Sequence, residues 1–283
     1  MIKKSDLFSE TRLIKNMDAF ELDYIPDQIL FREQQLSELC FRVSPGFNGG
    51  RPMSTICRGQ PGTGKTLSVK YLFSEIERTQ KRLVPVYVNC QTHNTTYAVI
   101  SRIYQQVIGN PPPRSGISRY SLLDCLAFKM RQKKIVILVC LDNVEYLIYN
   151  KTINEILHLL LRMYQSHPDC RIGVILVTNV IDLDLSKSLD QSVLSSLSAD
   201  DIPFPPYAAE EIHKILLKRV NQAVLPGVIP AEVLELVVQK THEAGDLSIG
   251  LDLLKRGVQK AERNGRSSVR KEDILLNYRD ARH

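Results

Sequence analysis

Gly59-Gln60-Pro61-Gly62-Thr63-Gly64-Lys65-Thr66 fits the phosphate-loop pattern G-x-x-x-x-G-K-[ST] at every fixed position. Its flanks fit as well. Ser54-Thr55-Ile56-Cys57 suits a short strand, and Leu67, Val69, Tyr71, Leu72 and Ile76 then recur at helical spacing. A strand, a glycine loop and a helix start make an anion site, because backbone N–H groups point inward and the helix dipole favours negative charge. Gly59, Gly62 and Gly64 let the backbone curl without a Cβ clash. The expected cradle is the loop, with Pro61 and Thr63, together with Leu67 at the start of the helix. Lys65 is expected to reach the β- and γ-phosphates and Thr66 to hold Mg²⁺.

The rest of the chain is ordinary in composition. It has 283 residues, enough for one large domain and a smaller one. Hydrophobic residues make up 43% and charged residues 24%, as in soluble globular proteins. Lys plus Arg number 37 against 31 Asp plus Glu, a surplus of +6 that permits nucleic-acid contact without arguing for it. No apolar run is long enough to span a bilayer, so no membrane partner is expected. The start, Met1-Ile2-Lys3-Lys4-Ser5-Asp6, lacks the apolar core of a signal peptide. Cys40, Cys57, Cys90, Cys125, Cys140 and Cys170 show no C-x-x-C spacing, and several lie in apolar runs. Buried thiols in a reducing cytoplasm are the expectation.

Strand and helix signals alternate through most of the chain. Asp27 is read as the cap of a helix carrying Leu30, Leu36, Leu39 and Cys40. A second strand is expected over 84–90, a helix around Tyr97 to Val107, and another over 121–132. The continuous apolar run Ile135 to Leu141, ending at Asp142, implies a strand buried on both faces of a parallel sheet. A long helix over 153–164, a strand over 171–179 and a short fifth strand near Ile202-Pro203-Phe204 complete the pattern. After Pro205-Pro206 only helices are read, at 208–224, 230–243, 247–263 and 271–279. The expected fold is therefore α/β, a five-stranded parallel sheet in an αβα domain followed by an all-helical domain. The expected boundaries are a lead-in over 1–23, the nucleotide domain over 24–205 and the helical domain over 206–283.

Polar groups close the strands beside the loop. Asp142 offers a hard oxygen ligand for Mg²⁺. Asn143 follows it; an amide orients water but takes no proton. Glu145 is the nearest carboxylate and is read as pointing elsewhere, while Asn179 is aimed at the γ-phosphate region and can position a water. Asn143 and Asn179 are thus the candidate catalytic side chains.

Taken together these residues resemble the archaeal origin-recognition and replication-initiator family, a branch of the AAA+ ATPases. The likeness is carried by Tyr24-Ile25-Pro26-Asp27 with Arg32-Glu33, the loop 59–66 and Val86 to Cys90. Leu141-Asp142-Asn143-Val144-Glu145-Tyr146-Leu147, Thr178-Asn179 and Val193 to Leu197 extend it, as do Phe204-Pro205-Pro206-Tyr207, Arg219 and Gly245-Asp246. The resemblance implies a P-loop AAA+ domain and a helical lid with ATP or ADP between them, Tyr24 and Ile25 against the adenine, and Tyr207 and Arg219 at the nucleotide. It implies double-stranded origin-like DNA as partner, with paralogous subunits or a replicative helicase as further ones. Members usually continue into a winged-helix domain, whereas this sequence ends at Ala281-Arg282-His283; the domain is expected to be trimmed away or lacking. The DNA contacts then expected are Arg102, on the helix after the second strand, and Arg114 and Arg119 in the following loop.

The chain departs from that family at charge-handling positions. Asn143 stands where the family carries Glu, and Ser192 and Ser248 stand where it carries arginines. A positioned base is worth roughly 10²–10⁴ in rate and a transition-state arginine roughly 10³–10⁵. The expectation is a protein that holds nucleotide as a switch and turns it over slowly or not at all. The alternatives are an active ATPase that remodels or loads a partner, and a regulatory nucleotide-binding scaffold without DNA contact.

Overall fold

The computed structural model describes residues 13–113 and 116–280, with side chains described through Leu275. Its core is one five-stranded sheet, β1 (Thr55–Arg58), β2 (Leu83–Asn89), β3 (Val136–Asp142), β4 (Ile172–Thr178) and β5 (Asp200–Pro203). The strand order is β2-β3-β4-β1-β5, and every pairing is parallel. All five carboxyl ends therefore lie along one edge. The register sets Arg58 beside Thr178 and Asn89 beside Asp142, so the loop leaving β1 emerges next to the polar ends of its neighbours.

Strand β3 shows why a continuous apolar run becomes a central strand. Ile137, Val139 and Leu141 enter one hydrophobic cluster. Val136, Leu138 and Cys140 alternate into the cluster on the other face. The first cluster is covered by α3 (Thr96–Ile108), α4 (Arg119–Lys133) and α6 (Ile153–Leu161), the second by α1 (Glu33–Val43) and α2 (Lys65–Thr79). The short helices α5 (Glu145–Tyr149), α7 (Met163–Ser166) and α8 (Gln191–Leu197) complete this unit.

The second compact unit holds α9 (Ala209–Ala223), α10 (Ala231–Ala244), α11 (Leu247–Arg263) and α12 (Lys271–Asp280). Residues 13–31 and the loop tip 61–63 cluster with it, and the sheet unit covers 32–60 and 64–204. By contacts, 24–31 and 61–63, read in the sequence as part of the nucleotide domain, cluster with the helical unit. Leu13, Ala19 and Phe20 are buried among the helices' apolar side chains. Ile14 bridges to Val224, and the backbone N–H groups of Lys15 and Asn16 donate to the Ala223 carbonyl at the end of α9. This segment is held by burial that a polar average conceals.

Other expectations shift for local reasons. The N-cap position of α1 is Arg32, which follows Phe31 at φ 60°, and not Asp27. The long helix expected over 153–164 divides at Arg162, which leaves helical geometry at φ −106°, ψ 10°. Its guanidinium bonds instead to the Ser192 carbonyl at 3.0 Å and to Ser196 Oγ at 3.2 Å. Among the cysteines, Cys57, Cys90, Cys140 and Cys170 are buried, but Cys40 and Cys125 are exposed. No helix among the described residues is long and apolar enough to cross a membrane.

Candidate functional site

The glycine loop is built by left-handed backbone. Gly62 and Gly64 have φ of 71° and 86°, conformations that L side chains rarely adopt. Gly64 is the N-cap of α2, so the first turn, with its unsatisfied N–H groups, starts at Lys65 and Thr66. Gly59 and Thr63 are buried, Pro61 is exposed and Leu67 is half-buried. Lys65 is also buried, and its Nζ donates to the carbonyls of Gly59 at 2.8 Å and Gln60 at 2.6 Å. The ammonium is thereby held against the loop backbone.

Thr66 and Asp142 meet at the strand edge. Thr66 Oγ1 donates to Asp142 Oδ2 at 2.9 Å, so a hydroxyl and a carboxylate, both hard oxygen donors, lie side by side. That donor set fits a magnesium ion. Two further groups orient the carboxylate. Tyr87 OH donates to the same Oδ2 at 2.6 Å, and the Asn143 backbone N–H donates to Oδ1 at 3.0 Å. Burial, and then the Asp142 charge, push the Tyr87 phenol well above its usual range, so it stays a donor. The Lys70 ammonium lies 4.8 Å from the Tyr87 ring centroid.

A chain of amides runs on from Asp142. Asn143 sits at φ 58°, a left-handed conformation that asparagine tolerates. Its Nδ2 donates to Asn89 Oδ1 at 3.4 Å, and its Oδ1 accepts from Asn179 Nδ2 at 2.8 Å. The sequence reading turned Glu145 away from the site; the structure places it within the site. Asn179 Nδ2 also donates to Glu145 Oε1 at 3.4 Å, and Glu145 is only 9% exposed. One turn of backbone after β3 brings the carboxylate to the Asn179 amide.

Sequence reasoning missed Tyr87 and Asn89, and set Glu145 aside. Asn89 carried a readable signal: it ends an apolar strand and lies beside Asp142 in register. Tyr87, two residues earlier on the same face, passes for a sheet aromatic until the Asp142 contact is seen.

Tyr24, Tyr207 and Arg219 come together in the helical unit. Arg219 is 6% exposed and donates to the carbonyls of Ala19 at 3.4 Å and Tyr24 at 3.3 Å. Its guanidinium carbon lies 4.7 Å from the Tyr24 ring centroid. Burial lowers its pKa, opposed by Tyr24 and Tyr207, yet a guanidinium stays charged. Tyr207 belongs to the apolar core of this unit, and Ile25 is exposed. Ser248 has a local role: with its backbone N–H at 2.8 Å and its hydroxyl at 2.5 Å it bonds Asp246, the N-cap of α11. Ser192 is exposed on α8.

Two of the arginines read as DNA contacts lie on described elements, Arg102 on α3 and Arg119 at the start of α4 rather than in the loop before it. Arg102 is half-buried on α3 and makes no ion pair among the described residues. Arg119 is paired with Glu155 at 2.7 Å and lies over the Tyr120 ring. Arg114 lies outside the described residues.

Comparison with known proteins agrees with this architecture. Residues 50–183 match the AAA domain family, and 213–277 match the Cdc6 AAA+ ATPase-type lid domain. The chain is 36% identical over 271 residues to ORC1-type DNA replication protein 6 of Halobacterium salinarum, covering 96% of this chain and 72% of that protein. It is 39% identical over 272 residues to ORC1-type DNA replication protein 2 of Methanosarcina mazei, with the same shares. Among solved structures, the Aeropyrum pernix ORC1 protein in complex with DNA superposes at a TM-score of 0.83 with 27% identity, covering 95% of this chain and 70% of that one.

Proposed function

The chain belongs to the ORC1-type family of AAA+ DNA replication proteins, and from that premise we propose that it is an initiator that holds ATP or ADP on the Gly59–Thr66 loop and hydrolyses it slowly. The observation that carries this reading is the pairing of Thr66 with Asp142 beside a glycine loop, next to an amide pair, Asn143 with Asn179. The first pair suits a triphosphate with its metal; the second lacks the proton acceptor that fast hydrolysis needs. When bound, Mg²⁺ at Thr66 and Asp142 would neutralise phosphate charge. Lys65 would meet the β- and γ-phosphates, as a point charge within reach of the loop.

Double-stranded DNA is the macromolecular partner in this reading. The solved Aeropyrum pernix ORC1 protein, bound to DNA, supports it by likeness. Arg102 is the candidate phosphate contact, since Glu155 already neutralises Arg119. Nucleotide occupancy then acts as a switch on assembly with paralogous subunits or a helicase, and slow hydrolysis makes the switched state long-lived.

Two measurements on the purified protein test this. Denaturation should release ADP or ATP in near-stoichiometric amount, and a gel shift at stated salt should retard duplex DNA. A protein that neither carries nor takes up adenine nucleotide overturns the reading. One that binds nucleotide but never duplex DNA favours a regulatory scaffold instead.

A further inference from the structure

Two carboxylates serve the strand edge, and only one of them has an oxygen to spare. Asp142 Oδ2 accepts from Thr66 and Tyr87, and Oδ1 accepts from the Asn143 N–H. Glu145 Oε1 accepts from Asn179, but Glu145 Oε2 is buried with no hydrogen-bond partner among the described residues. Leaving a buried acceptor unpaired is destabilising, and more so when it is charged. Such an atom calls for a donor, and a water needs two to four polar partners to be held. Asn143 and Asn179 supply neighbouring amide groups. Neither can take a proton.

We propose that Glu145 is the general base of this chain, acting on a water that Asn143 and Asn179 orient. The proposal rests on the nucleotide reading above. In the step, the water oxygen forms a bond to the γ-phosphorus, and the bond from that phosphorus to the β–γ bridging oxygen breaks. Its electron pair leaves on ADP. The water proton passes to Glu145 Oε2, which later returns it to solvent, so ATP and water give ADP and inorganic phosphate. Asn143 therefore does not abolish turnover; it moves the base two residues along, to the first turn of α5, and leaves the water under amide control.

Glu145→Gln tests this, because glutamine keeps the shape and the Oε1 acceptor while losing basicity. The full chain is loaded with radiolabelled ATP, and bound nucleotide and released phosphate are followed separately in a single turnover. The expected result is unchanged ATP retention with phosphate release slowed by roughly 10²-fold, and loss of the acid limb of the wild-type pH–rate profile. Release within about twofold of wild type overturns the assignment. So does a wild type that retains ATP but releases no phosphate, and the nucleotide reading survives that outcome. A wild type that retains no ATP defeats the nucleotide reading itself, and this proposal with it. Should Glu145→Gln fail to fold, Glu145→Asp carries the test. It keeps a carboxylate one methylene short, so the rate should fall while the acid limb remains, and an unchanged rate overturns the proposal.

Discussion

Thr66 Oγ1 and Asp142 Oδ2 share a hydrogen bond of 2.9 Å between residues 76 apart in the chain. Strand order makes this contact: the loop after β1 opens beside β4 and β3, whose register fixes where Asp142 ends. These two hard oxygens are the donors that the proposed magnesium ion would use.

Asp142→Asn retains one acceptor oxygen for Thr66 and Tyr87, while its Nδ2 takes the place of the oxygen that accepts from the Asn143 N–H. It removes the charge that a divalent ion needs. Nucleotide affinity measured with and without Mg²⁺ should lose about ten- to a hundredfold of its metal dependence. An unchanged metal dependence would place the ion elsewhere.

Arg219 bonds two carbonyls of the segment before Phe31 and lies under the Tyr24 ring. Removing it leaves those buried acceptors without a charged donor. Arg219→Ala should cost about 1.5–3 kcal/mol in urea unfolding. Arg219→Lys should recover little, because an ammonium cannot span two carbonyls and stack on a ring.

Asp273 accepts both guanidinium nitrogens of Arg266, at 2.7 and 2.9 Å, and the Arg270 backbone N–H at 3.0 Å. Burial opposes ionisation of this carboxyl, but the bonds from Arg266 and Arg270 outweigh it and hold its pKa below the usual range. A depressed pKa gives stability that is fully present above the unfolded value, near about 4, and is lost as pH falls through the folded value. Stability of the helical unit should fall as pH drops below about 4, and Asp273→Asn should remove that part of the slope. Equal acid sensitivity in both proteins would assign it to other groups.

On the DNA side, Arg102→Ala should weaken duplex binding and lower the salt slope by about one unit. Arg119→Ala should change the slope little, because Glu155 already compensates its charge. Reversal of that ranking, read from affinities at several salt concentrations, would move the interface off α3.

Much of this was legible before any coordinates. The glycine loop, Asp142 and the apolar run of β3 are local patterns whose meaning depends on few neighbours, so the five-stranded parallel sheet was readable from them; the strand order depends on long-range pairing and was not. Residues 13–23 were not legible: Leu13, Ala19 and Phe20 are scattered among charges, and only the helical unit's core shows what they bury against. Glu145 was misjudged because its direction depends on one turn of backbone after β3, with Asn143 at φ 58°, which no periodicity encodes. The break of the expected helix at Arg162, whose guanidinium meets a carbonyl of α8 thirty residues on, has no periodic signal either.

Titration with a fluorescent adenine nucleotide, in wild type and in Lys65→Ala, tests the central claim most directly. Wild type should bind and the variant should lose at least about a hundredfold in affinity, roughly 2.7 kcal/mol, because the cradle's buried ammonium is gone. Equal binding by the two proteins, or none by the wild type, would contradict the account.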